Sequence, residues 1–254
     1  NYFYYFIYRI NAKREKNKTV RFVTLVFIFA SFLYSHELEI KSITWKQYYR
    51  GGIVYSKKSK NGYAGYFRLK RITKNTFKDI RLFGHIFPDD VEIRIRQKSS
   101  RKFLSFDKIY SFNTLIYEKN TILDIGLRYQ YNQGLGLLLK KNKSGNQTFE
   151  IGIALDNEDY INTKQRKTYA KTGLSIDYNI NVFSTKFEID YFYHLNKLYS
   201  DPSLSRFQIL GELQWIITKN FGAMIGFTLD VQQKNSSPSA FFTISIADNL
   251  DWKF

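Results

Sequence analysis

Pro238-Ser-Ala-Phe-Phe-Thr-Ile-Ser-Ile-Ala-Asp-Asn-Leu-Asp-Trp-Lys-Phe254 is the stretch whose reading decides the fold. Taken in steps of two, Phe242, Ile244, Ile246, Leu250, Trp252 and Phe254 fall on one side. Thr243, Ser245, Ala247, Asn249, Asp251 and Lys253 fall on the other. A period of two is the side-chain period of a strand, so the segment reads as one two-faced β-strand with a greasy face and a polar face. Asp248 interrupts the greasy row. A β-bulge near Asp248-Asn249, or a site close to a membrane interface, is the expected way to accommodate it.

The same pattern recurs toward the amino end. In 220–233 the apolar side is Phe221, Ala223, Ile225, Phe227, Leu229 and Val231, and 205–218, 184–196, 167–182 and 146–157 behave alike. Residues 121–141 hold one odd apolar row from Leu123 and Ile125 to Leu139, which argues for one long strand over a hairpin at Asn132-Gln133-Gly134. With 45–56, 62–74, 76–87, 90–98 and 103–118 the count is twelve strands, with ten as the alternative because the first five boundaries are loose. No helical period competes in the carboxyl half.

Connections sharpen the reading. Turns at Thr218-Lys219-Asn220, Asn181 to Ser184 and Asn142 to Asn146 are short. They alternate with longer polar connections at 157–166, 196–205 and 234–237. Short turns on one side and longer loops on the other are the build of outer-membrane barrels. The expected fold is therefore all-β: a transmembrane antiparallel β-barrel over 45–254 with both termini periplasmic. A carboxyl end of Leu250, Trp252 and Phe254, in phase with the lipid-facing row, resembles the assembly signal of such barrels.

Composition is compatible with this. The chain carries 20 Tyr and 23 Phe, only 3 Pro and no Cys. Aromatic residues suit strands and interfacial girdles. A mean hydropathy of −0.37 looks too polar for a membrane protein, but half of each barrel strand faces a polar interior. Without Cys there is no disulfide framework and no thiolate metal site. The formal charge of +17 is spread along the chain without a basic helix or nucleic-acid motif, so nucleic acid is not an expected partner. Basic loops and girdles facing anionic headgroups explain it better. The expected partners are outer-membrane lipid and lipopolysaccharide, with barrel-assembly machinery during insertion.

The amino end reads differently. Residues 22–35 are uncharged and apolar, preceded by Lys16, Lys18 and Arg21 and followed by His36-Glu37-Leu38-Glu39. A basic start, a short apolar middle and small residues near the end form the layout of a secretory signal, assigned to 20–35. At 1.5 Å per residue the run spans ~21 Å, short of a ~30 Å hydrocarbon core. Residues 36–44 then form a periplasmic segment. Because Met224 is the single methionine, residues 1–19 are expected to come from an over-extended reading frame, with Val20 standing for a non-AUG start.

Two stretches resemble a known family. Tyr131-Asn-Gln-Gly-Leu-Gly-Leu-Leu-Leu139 followed by Phe149-Glu-Ile-Gly-Ile-Ala-Leu-Asp-Asn-Glu-Asp159 is similar to the centre of the DUF481 family of salt-induced outer-membrane proteins. Trp45 with Gly51-Gly52-Ile53-Val54-Tyr55-Ser56, and the run Ile217 to Val231, are similar as well. Two features depart: Lys60-Asn61-Gly62 stands where the family has Gly-Asn, and an Asp-containing segment before the central strand is missing. The resemblance implies an outer-membrane barrel and no particular activity.

The polar face of 167–232 carries the candidate site: Lys171, Asp177, Lys186, Glu188, Asp190, His194, Glu212 and Asp230. Such charges either line a pore, surround a catalytic centre, or pair across strands and fill the interior. The last is the ordinary way to fill a polar bore. A hydrolase built on His194 with Asp190, Glu188 and Ser200 is disfavoured, because four residues along a strand span ~13 Å. Gly134, Gly136 and Gly152 precede no helix and so form no nucleotide loop; they are expected to relieve crowding. Asp156, Glu158 and Asp159 fit no EF-hand spacing and read as a solvated acidic loop. No metal, cofactor or catalytic residue is assigned. The expected role is a structural or envelope-adaptation barrel, with a narrow solute channel within reach of the architecture. The alternative is an outer-membrane enzyme acting on envelope lipid, such as one that modifies lipid A.

Overall fold

The computed structural model describes residues 45–103, 106–142, 144–160, 164–195, 205–232 and 235–250. The proposed extension, signal segment and periplasmic segment lie outside them, as do Ser200, Trp252 and Phe254. Twelve strands follow one another. They are β1 (Trp45–Ser56), β2 (Lys60–Ile72), β3 (Thr76–Ile86), β4 (Val91–Phe103), β5 (Phe106–Asn120) and β6 (Ile125–Asn142). The second half comprises β7 (Gly145–Tyr160), β8 (Lys164–Ile180), β9 (Phe183–His194), β10 (Arg206–Ile216), β11 (Phe221–Gln232) and β12 (Asn235–Leu250). Each pairs antiparallel with its sequence neighbours, and β1 pairs with β12 to close the barrel. Ten strands are thereby excluded. Closure leaves no free sheet edge, and an even count brings Trp45 and Leu250 side by side at one rim.

The wall separates two chemistries. Outward positions are apolar and open: Ile53, Ile153, Ile225 and Ile244 each expose about half of their surface. Inward positions are charged and closed: Arg128, Glu158 and Arg206 are almost wholly buried. A water-soluble barrel would show the reverse. Apolar exposure this continuous has to be met by a non-aqueous surround. Among the described residues no helix is long and apolar enough to cross a membrane, so any crossing is made by strands.

Local departures from simple alternation have local causes. Leu123 and Ile125 were expected on the outward row, yet both are buried. A 3-10 turn at Thr121–Leu123 precedes β6; the Asn120 side chain accepts from the Leu123 amide at 3.3 Å, and Asp124 adopts φ 60°. The β6–β7 register then shifts between Ile125 and Leu127, and the outward row resumes at Leu127. The connections at 157–166 and 234–237 are shorter than the sequence suggests, because β7 continues to Tyr160, β8 begins at Lys164 and β12 at Asn235. The bulge expected at Asp248-Asn249 does not occur: β12 pairs with β1 in one unbroken register from Ser239 to Leu250. Asp248 therefore keeps an outward register position near the rim.

Candidate functional site

The inward rows of all twelve strands meet in the bore, and the bore is filled by paired charges. Nearer the rim that carries the chain ends, Asp79 accepts from Arg68 Nε and Arg81 Nε at 2.5 Å each. Glu188 is held by Lys186 at 2.8 Å, Arg96 at 3.4 Å and Arg81 at 3.6 Å. Arg50 reaches Glu212 at 2.7 Å and stacks over the Tyr66 ring at 3.8 Å. At mid-height, Glu150 binds Lys98 and, at 3.3 Å, Lys171, which also reaches Asp190 at 3.0 Å.

Toward the other rim, Arg128 joins Glu118 at 3.0 Å and Glu158 at 2.8 Å, and Glu158 also takes Lys167 at 2.8 Å. Arg206 pairs with Asp156 at 3.1 Å. Arg94 bridges Glu118 at 2.8 Å to Asp230 at 3.3 Å. Cations and carboxylates alternate because an unpaired ion in so dry a space would cost several kcal/mol. Between these layers remains a cavity of about 110 Å³, bounded by Arg50, Tyr66, Arg94, Glu188 and Asp230. That is room for a few waters.

The rim away from the chain ends is closed by apolar packing. Val54, Phe87, Ile122, Met224 and Phe241 form one buried cluster within the barrel. His85 lies against the rings of Phe83 and Phe241, and its Nδ1 is 3.1 Å from Glu92. Three turns are tied over this cluster through Asp90, which accepts from Ser59 Oγ at 2.6 Å and Thr121 Oγ1 at 2.8 Å. Lys58 Nζ donates to the Ile122 carbonyl at 2.7 Å.

The residues singled out from the sequence all lie on inward rows. Lys171, His194 and Asp230 are buried, and Asp177, Lys186, Glu188, Asp190 and Glu212 are half-buried. Asp177 stands opposite Lys186 in the β8–β9 ladder. His194 packs edge-on against Tyr169, while Asp190 and Glu188 are engaged by Lys171 and by the Arg81, Arg96 and Lys186 group. The Leu250 side chain lies outside the described residues, as do Trp252 and Phe254.

One expectation fails here. Asp156 and Glu158 are not in a solvated loop; they belong to β7 and are 3% and 0% exposed, locked to Arg206, Arg128 and Lys167. Sequence reasoning also missed Arg50, Arg81, Arg94, Glu118, Arg128 and Arg206. For Arg94 the signal was present in the alternation of Val91-Glu-Ile-Arg-Ile-Arg96, where every second residue is charged. Among the described residues no group of three or more His, Asp or Glu is placed to hold a metal ion.

A closed antiparallel wall, apolar outside and ionic inside, defines a transmembrane β-barrel of porin-like architecture. A family model described as "Protein of unknown function, DUF481" matches residues 34–239, and the chain belongs to that family. No curated protein matches in sequence. Among solved structures, a NanC porin is similar with a TM-score of 0.53 and 14% identity, covering 79% of this chain and 98% of that one. The translocator domain of the autotransporter NalP from Neisseria meningitidis gives 0.46 at 9% identity, over 91% and 97%. A KdgM porin gives 0.44 at 11%, over 79% and 98%. At such identities the NanC likeness concerns the fold alone.

Proposed function

We propose that this protein is an outer-membrane barrel that serves the bacterial envelope as a structural element, with its bore shut in the resting state. The observation that carries this reading is the set of ion pairs crossing the bore. They leave a cavity of about 110 Å³ where an open porin would have a channel. Both ends of the barrel domain lie at one rim, which in this reading faces the periplasm. A narrow solute path would open only if the transverse pairs separated.

Fractionation with heat-modifiable gel mobility tests the location, and planar bilayers test the bore. The expected result is a detergent-requiring, heat-modifiable protein with little current. Extraction without detergent would remove the membrane assignment; a steady porin-sized conductance would remove the closed bore.

A further inference from the structure

We propose that the outer face of β1–β4, at the rim carrying the chain ends, is a binding site for an anionic phospholipid. Arg71 and Lys78 clamp the headgroup phosphate. The inference rests on the membrane reading above and adds the class of lipid, the leaflet and the residues.

Cross-strand register aligns three rows on this face. The row nearest the rim runs Trp45, Arg71, Lys78 and Ser99 on successive strands. Two residues further along each strand, ~7 Å deeper, the row is Gln47, Leu69, Ile80 and Gln97. The next is Tyr49, Phe67, Leu82 and Ile95, and Tyr49, Leu82 and Ile95 are exposed. Cations above, a mixed row, then open apolar side chains reproduce the order of phosphate, glycerol and acyl chain along a phospholipid. Trp45, whose ring lies 5.9 Å from the Arg71 guanidinium, marks the interfacial level.

Two observations show that this row lacks a counter-charge. Arg71 and Lys78 are direct partners in the β2–β3 ladder, a like-charge juxtaposition that destabilises a sheet unless an anion lies between. Among the described residues no Asp or Glu occupies an outward position of β1 through β4. In addition, Arg71 Nε is buried and has no hydrogen-bond partner within the protein. This contrasts with the bore, where Arg68 and Arg81 are also neighbours but share Asp79. A phosphodiester supplies what Asp79 supplies on the inner face. Because the site is at the rim of the chain ends, the ligand is a glycerophospholipid of the periplasmic leaflet and not lipopolysaccharide of the other.

The test uses the full barrel domain reconstituted in vesicles of equal phosphatidylglycerol and phosphatidylethanolamine. Native mass spectrometry then reads the lipid retained on release. Phosphatidylglycerol should be enriched roughly five-fold or more, the increment for one basic residue near an anionic surface. The combined Arg71→Gln and Lys78→Gln variant should abolish the enrichment. The single Lys78→Gln, at an exposed position, should lower it and serves if the double variant does not fold. Lys57→Gln with Lys119→Gln, at the opposite rim, should leave it unchanged. Equal retention of both lipids, preference for added lipopolysaccharide, or equal loss in the opposite-rim variant would overturn the site. A protein that never enters vesicles and shows no heat-modifiable form would instead refute the membrane reading beneath it.

Discussion

Arg81 Nη1 on β3 and Glu188 Oε1 on β9 stand 3.6 Å apart, although their strands are six positions from each other in either direction around the ring. A contact between opposite walls means that the bore is crossed at this height. Glu188 also gathers Arg96 and Lys186, so one carboxylate holds three cations that would otherwise repel.

Replacing that carboxylate is the direct way to open the bore. Glu188→Gln should destabilise the barrel by about 3 kcal/mol, at the low end for breaking a buried pair because its side chain keeps 18% of its surface exposed. It should also give a current in planar bilayers that favours chloride over potassium, since Arg81, Arg96 and Lys186 then face the path unneutralised. Unchanged conductance with unchanged urea stability would show that Glu188 bears neither burden.

Gly134 and Gly152 face each other across β6 and β7. A Cβ on Gly134 would stand 2.0 Å from the Ile151 carbonyl oxygen, and one on Gly152 would stand 2.3 Å from that of Gln133. Backbone cannot yield as a side chain can, so Gly134→Ala should cost about 1–3 kcal/mol in refolding titrations. Gly65→Ala, where a Cβ would meet nothing within 4 Å, should be neutral or stabilising by up to ~1 kcal/mol. Equal effects of the two would show that the opposed glycines are not needed for close approach.

Ile153 is at the middle of β7, faces outward and exposes 56% of its surface. Ile153→Arg should lower stability by roughly 2–4 kcal/mol in lipid, the cost of a basic residue at the midplane of a bilayer. The same change should have little effect in a detergent-free aqueous setting if the face were solvated there. Absence of a penalty in lipid would mean that this face does not meet acyl chains.

Much of the fold was legible in the residues because strand phase is a local property. Ile225, Phe227 and Leu229 announce an outward row without reference to any other strand, and the twelve segments follow from repeating that reading. Phase failed at Leu123 and Ile125, where a 3-10 turn and a register shift rotate the chain. It also failed at Asp156 and Glu158, whose acidity looked like a loop until burial and cationic partners were visible.

The amino-acid order by itself determined the all-β class and the two faces of most strands, since a period of two needs only nearest neighbours. Which cation meets which carboxylate was decided by the tertiary structure alone. Arg94 meets Asp230, and Arg81 meets Glu188, across residues far apart in the chain. Those pairings depend on how wide the closed ring is and how its strands are staggered, and both emerge only when the last strand closes on the first.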